Sequence, residues 1–144
     1  MIDFNFVLWY INKHYFFTGS KFKTKYVNGE SLSYNEFFDR ITNSLALDIL
    51  DNKRLLSNSI YEWYRKIQIE SKIDILDFIK YKYKIRLGFR NWEIATMSGK
   101  TITIDNIVKD LKGKYDKEFI EPIIDEWFEN QVINQSEKII LNFK

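Results

Sequence analysis

Between residues 103 and 128 apolar side chains recur at helical spacing, and this stretch limits the possible folds more than any other. Ile104, Ile107, Val108 and Leu111 stand at i, i+3, i+4 and i+7, with Thr103 or Asp105 placed to cap a short helix and Gly113 placed to end it. Asp116 then caps a longer helix over residues 116–131, whose Phe119, Ile120, Ile123, Ile124, Trp127 and Phe128 share one face. Pro122 removes one backbone hydrogen bond from that helix, and is expected to kink it or delay its start. Beyond it, Val132-Ile133, a polar link over residues 134–137 and Lys138-Ile139-Ile140-Leu141-Asn142-Phe143 read as a two-stranded hairpin.

Short helix, turn, longer helix and two-stranded wing is the winged-helix order. Over residues 99–143, from Gly99-Lys100-Thr101-Ile102-Thr103-Ile104-Asp105-Asn106-Ile107 through Val132-Ile133 and the final strand, the chain resembles the winged-helix superfamily. It is also similar to the small peptide-leader-recognition modules of ribosomal-peptide maturation enzymes, which share this topology. The resemblance makes 116–131 the recognition helix. Its polar side, however, carries Glu118, Glu121, Asp125, Glu126 and Glu129. Phosphates lining a nucleic-acid groove repel five carboxylates, so a protein or peptide partner is expected here, with a basic one favoured. The candidate contacts are Glu118, Asp125 and Glu129 on the helix, with Lys138 and Ile140 at the wing edge. A peptide could add a strand at that edge.

A second constellation points elsewhere. Residues 21–27 alternate Lys21, Lys23 and Lys25 with Phe22, Thr24 and Tyr26. Residues 80–87 alternate Lys80, Lys82, Lys84 and Arg86 with Tyr81, Tyr83, Ile85 and Leu87. Period two reads as strands with one basic and one apolar-aromatic face. If both belong to one sheet, seven cations share a face, and Arg90 could extend it. Cations along a sheet track a phosphate backbone while rings stack on bases, which makes nucleic-acid binding the alternative function. The plainer reading is that lysines guard strand edges against aggregation while the rings fill the core.

The rest of the chain is sparsely punctuated, with 5 Gly and 1 Pro. Residues 4–17 read either as a strand, from the alternation of Phe4, Phe6, Leu8 and Tyr10, or as a helix capped by Asp3 and ended by Gly19. Asn28-Gly29 reads as a turn. Ser33 with Glu36 and Ser59 with Glu62 each form a capping-box pattern ahead of apolar residues at helical spacing. A break at Asp51-Asn52-Lys53 and a third helix after Ser71 are expected. Residues 92–97 and 100–104 read as a hairpin about Ser98-Gly99, with a short helix at 92–97 as the competing reading.

At 144 residues the chain is expected to hold one core. The fold class expected is α+β: a helix-rich single domain with a small antiparallel sheet, a helix-and-strand part over 1–98 and a winged-helix-like part over 99–144. Aromatic residues make up 17% of the chain, enough ring surface to fill a core of this size and leave rings for a binding face.

Composition weighs against catalysis. Cysteine is absent and His14 is the one histidine, so thiolate or His/Cys metal sites and Ser–His–Asp triads lack material. His14, among Tyr15, Phe16 and Phe17, reads as a packed or surface residue. Glu70-Ser71-Lys72 has the E-x-K spacing of some metal-dependent nucleases, with Asp48 or Asp51 upstream, but sits at a helix junction instead of the strand pair such sites need. No catalytic residue, metal or cofactor is therefore assigned. Residues 1–5 lack the basic region of a secretory signal, and no apolar run is long enough to span a bilayer. With the absence of cysteine, this points to a cytoplasmic protein without a membrane partner.

Overall fold

A computed structural model of the chain describes residues 3–26, 29–46, 53–111 and 113–142. In chain order the elements are α1 (Phe4–His14), β1 (Tyr15–Phe17), β2 (Phe22–Thr24), β3 (Ser31–Leu32), α2 (Tyr34–Ser44) and α3 (Lys53–Lys82). They continue with β4 (Tyr83–Leu87), β5 (Trp92–Thr96), β6 (Thr101–Ile102), α4 (Ile104–Leu111) and α5 (Lys117–Asn142). The fold is the helix-rich α+β class expected, with antiparallel sheets ordered β1-β2-β3 and β4-β5-β6. The chain divides into compact units at residues 1–70 and 71–144. Where one core was expected, buried side chains gather in two clusters, one in each unit. Among the described residues no helix is long and apolar enough to cross a membrane.

In the first unit the ambiguity over residues 4–17 resolves as a helix followed by a short strand. The Asp3 carboxylate accepts a hydrogen bond from the Phe6 amide at 2.8 Å, which caps α1 and satisfies one of its orphan donors. Val7 and Ile11, one turn apart, are the residues α1 buries. The helix ends where Tyr15 becomes extended (φ −137°, ψ 149°), and β1 turns back into β2 through Gly19 at φ 104°. Ser33 and Glu36 form the expected reciprocal capping box at the start of α2. The core is aromatic. Phe22 of β2 stacks on Phe37 of α2 at 3.8 Å with 8° between the ring planes, and Tyr15 meets Phe37 edge-on at 5.2 Å.

The second capping-box pattern and the third helix start are not used as such. Residues 53–82 form one 30-residue helix, with Ser59 and Ser71 in its interior. A Ser-x-x-Glu pattern caps a helix only when the backbone before it is extended, and residues 53–58 are already helical. No Gly or Pro interrupts this span. The expected break at residues 51–52 and the Val27-Asn28 positions lie outside the described residues.

The second unit opens with about the last three turns of α3. Lys80 and Lys82 therefore lie on a helix, and the strand expected from residue 80 begins at Tyr83. β5 and β6 form the expected hairpin, in which Gly99 (φ 101°) takes the left-handed position and its amide donates to the Thr96 carbonyl at 2.9 Å. Thr103, not Asp105, is the α4 cap. Its amide donates to Asn106 Oδ1 at 3.0 Å, so the Asn side chain reaches back as in a capping box. The Asp116 carboxylate caps α5 by accepting from the Phe119 amide at 2.9 Å. Pro122 does not delay that helix, which starts at Lys117 and runs through it.

The C-terminal hairpin does not form. α5 is continuous to Asn142, so Lys138 and Ile140 are helical and there is no wing edge for a peptide to extend. Phe128, Val132, Gln135 and Ile139 recur at i, i+4, i+7 and i+11. Phe128 and Val132 pack on the core, and the Gln135 amide donates to the Ile85 carbonyl at 2.9 Å. The polar link over 134–137 carries no turn-forming Gly or Pro, so the backbone has no reason to leave the helix there.

Because Phe22 is fully buried and touches Phe17, Phe37, Trp63 and Tyr64, truncating it leaves a cavity that rigid rings cannot close. Phe22→Ala is expected to lower stability by about 3–5 kcal/mol, whereas exposed Lys23→Ala should change it by less than about 0.5 kcal/mol. Urea denaturation of the two variants measures the difference.

Candidate functional site

Two surfaces, one in each unit, carry many of the residues singled out by sequence. In the second unit, α4 and α5 pack through Ile107, Val108 and Leu111 against Ile120, Ile123 and Ile124. That contact turns the polar side of α5 outward beside the start of α4. There Thr103, Ile104, Asp105, Glu121 and Asp125 line an open cavity of about 360 Å³. Asp105 sits in the first turn of α4, where the helix dipole favours a carboxylate. Glu121 and Asp125 are four residues apart on α5, a spacing at which like charges repel. Lys117 approaches Glu121 at 3.4 Å. Among the described residues no ion pair involves Asp105 or Asp125.

Residues 118, 121, 125 and 129 follow one another by three or four positions, so Glu118, Asp125 and Glu129 form an exposed stripe with Glu121 between them. Ile140, eleven residues beyond Glu129, falls near the same face, and it is exposed, as is Ile133. Lys138 points away from it, because its helical angle is about half a turn off. Glu126 lies beside the stripe and is drawn to Lys72 of α3 at 3.1 Å.

Two polar clamps hold the parts of this surface. The Asp74 carboxylate of α3 accepts from Lys114 Nζ at 2.8 Å and from the Tyr115 hydroxyl at 2.9 Å, anchoring the segment between α4 and α5. These two hydrogen bonds, the Lys114 one first, hold its carboxyl below the usual carboxylate range. The Tyr83 hydroxyl donates to Asp110, joining β4 to α4; burial, and then this carboxylate, raise the phenol above its ordinary range. Neither clamp has a sequence signature, since the partners lie 40, 41 and 27 residues apart.

The first unit carries the basic segment 21–27. Lys23 and Lys25 are exposed on β2 and just beyond it, and Phe16 lies opposite Lys23 on β1. Lys25 Nζ stands 4.6 Å from the Phe16 ring centre and 2.5 Å from the Asn12 carbonyl. Lys13 Nζ lies 4.9 Å from the Trp9 ring. The sequence pattern pointed to Lys21, Lys23 and Lys25 but missed Trp9 and Phe16. The available signal was the i, i+4 pair Trp9 and Lys13 on a helix that could equally have been a strand.

The other basic segment is arranged differently. β2 and β4 belong to separate sheets, so no single sheet face carries all seven cations. Lys80 is exposed on α3, and Lys82 Nζ covers the Phe78 ring at 4.8 Å. Arg86 is committed to Glu93 at 2.7 Å and to the Thr101 hydroxyl at 2.8 Å. Lys84 is exposed, and Arg90 stands 5.7 Å from the Phe89 ring.

His14 packs against Tyr10 with ring centres 4.4 Å apart. Glu70, Ser71 and Lys72 lie inside α3, away from any strand pair; Asp48 and Asp51 lie outside the described residues. Among the described residues no group of three or more His, Asp or Glu side chains is arranged to hold a metal ion. No protein-family model, curated protein or solved structure matches this chain.

The Asp74 clamp sets a pH dependence. A folded-state pKa below the unfolded value contributes stability that is present above the unfolded value and is lost as pH falls through the folded one. Stability of the second unit should therefore fall on acidification below about pH 4. Asp74→Asn is expected to be less stable at neutral pH and to flatten that acid limb, as followed by denaturation midpoints across pH.

Proposed function

We propose that this chain is a non-enzymatic binding module that captures a basic segment of a protein or peptide partner on the acidic side of α5. The observation that carries this reading is the convergence of Asp105, Glu121 and Asp125 on one open cavity, where Lys117 pairs with Glu121 at 3.4 Å. A volume of about 360 Å³ takes a long side chain with room for its polar end. A guanidinium fits paired carboxylates through bidentate hydrogen bonds, so arginine suits the cavity better than lysine. The stripe of Glu118, Asp125 and Glu129 would steer such a segment toward the cavity, while Ile133 and Ile140 offer apolar contact farther along the helix. The same carboxylates repel a polyanion, which argues against this helix as a reader of nucleic acid.

Titration calorimetry with a short arginine-rich peptide tests the proposal. Binding is expected, weakening as salt rises, with no binding by a glutamate-rich peptide of equal length. The double variant Glu121→Lys/Asp125→Lys should weaken binding at least about tenfold, equal to about 1.4 kcal/mol. Both residues sit on the outside of α5, so its thermal transition should be kept. Equal affinity of the variant and the parent protein removes this face as the site.

A further inference from the structure

We propose a second binding site, in the first unit, that takes single-stranded nucleic acid on the open face of the β1-β2-β3 sheet. The register puts Phe16 opposite Lys23 and Lys23 opposite Ser31, and all three are exposed. The alternate residues Tyr15, Phe22, Thr24 and Leu32 are buried on the other side, so the sheet has one core face and one face bearing a ring, a cation and a hydroxyl in a row. Lys25 follows two residues after Lys23 and lies over the Phe16 ring. Its Nζ reaches the Asn12 carbonyl at the end of α1, which brings Trp9 and Lys13 of that helix to the same region. Trp9 and Phe16 are each 54% exposed and Tyr26 is 66% exposed, a large amount of ring surface to leave in water.

The segment that supplies most of this face carries charge of one sign. Residues 11–27 contain no acid. Of the acids that flank this stretch in sequence, Glu30 binds Arg40 at 2.7 Å and Asp3 caps the far end of α1. Lys13, Lys23 and Lys25 would meet phosphates while Trp9, Phe16 and Tyr26 offer faces on which unpaired bases stack. Duplex nucleic acid keeps its bases paired and stacked inside, so the rings select a single strand. An acidic peptide would satisfy the lysines and leave the rings idle. An anionic membrane fits less well, because lysines stand 4.6 and 4.9 Å from the Phe16 and Trp9 rings. Sinking those rings into hydrocarbon would drag ammonium groups with them at a desolvation cost.

Fluorescence anisotropy of the full chain with a labelled oligothymidylate of about ten nucleotides tests this. The single strand should bind in preference to a duplex of the same length and to phosphatidylserine vesicles. Its log-affinity should fall with log salt at a slope near −2, about −0.7 for each of three phosphates neutralised. Phe16→Ala should weaken binding at least about fivefold, and Phe16→Trp should restore it. Lys23→Gln should weaken binding and make the salt slope shallower. Because the acidic side of α5 is not involved, Glu121→Lys/Asp125→Lys should not weaken this binding, so the two sites fail or stand separately. No oligothymidylate binding, a preference for duplex or vesicles, or equal affinity in the Phe16→Ala and Lys23→Gln variants overturns the proposal.

Discussion

Burial of the apolar stripe of α5 governs the second unit. Ile120, Ile123, Ile124 and Trp127 go inside against α4 and α3, and their removal from water is the main force available to hold two helices that share few backbone links. Once that stripe is inside, helical periodicity leaves Glu118, Asp125 and Glu129 no place but the outside. The start of α4 then brings Asp105 up to Glu121 and Asp125. The acidic cavity is thus a by-product of apolar packing, and no specific bond between the carboxylates is needed to assemble it. The Asp74 and Asp110 clamps add direction, because a hydrogen bond fixes an angle that hydrophobic contact leaves loose.

The first unit divides its rings by the same logic. In β1 and β2 the alternation of side chains sends Tyr15 and Phe22 to the core and Phe16, Lys23 and Lys25 to water. The stacked Phe22 and Phe37 pair sets how close α2 approaches the sheet. That packing makes the outer face a consequence of the inner one: a one-residue slip in register would exchange the two. The lysines that read in isolation as guards of a strand edge also neighbour exposed rings, and that juxtaposition gives the surface its chemical character.

Much of the local structure was legible beforehand. Ser33 and Asp116 cap helices as the pattern gave them, and Asp3 and Thr103 do so as one of two readings each, because a cap is a contact between neighbours and leaves a short sequence pattern. Gly99 was equally legible as a turn residue, since its positive φ is a local demand. The failures have a common cause. Ser59-Ile60-Tyr61-Glu62 matches a capping box yet lies mid-helix, and residues 132–142 look β-branched enough for strands yet continue α5. In both places the decision falls to the helix already running and to packing along it: Leu56 and Ile60 in one core, Phe128 and Val132 on the other.

The amino-acid sequence alone determined the fold class, the caps at Ser33 and Asp116, the acidic character of residues 116–131 and the basic character of residues 21–27, because each shows in the pattern along the chain. The tertiary structure alone decided which charges meet. It brought Asp105 to Asp125 and Lys25 to Phe16, and it put the two basic segments in different sheets. Those outcomes depend on which apolar faces find each other, and strand partners and helix neighbours separated by many residues leave no mark on the local pattern.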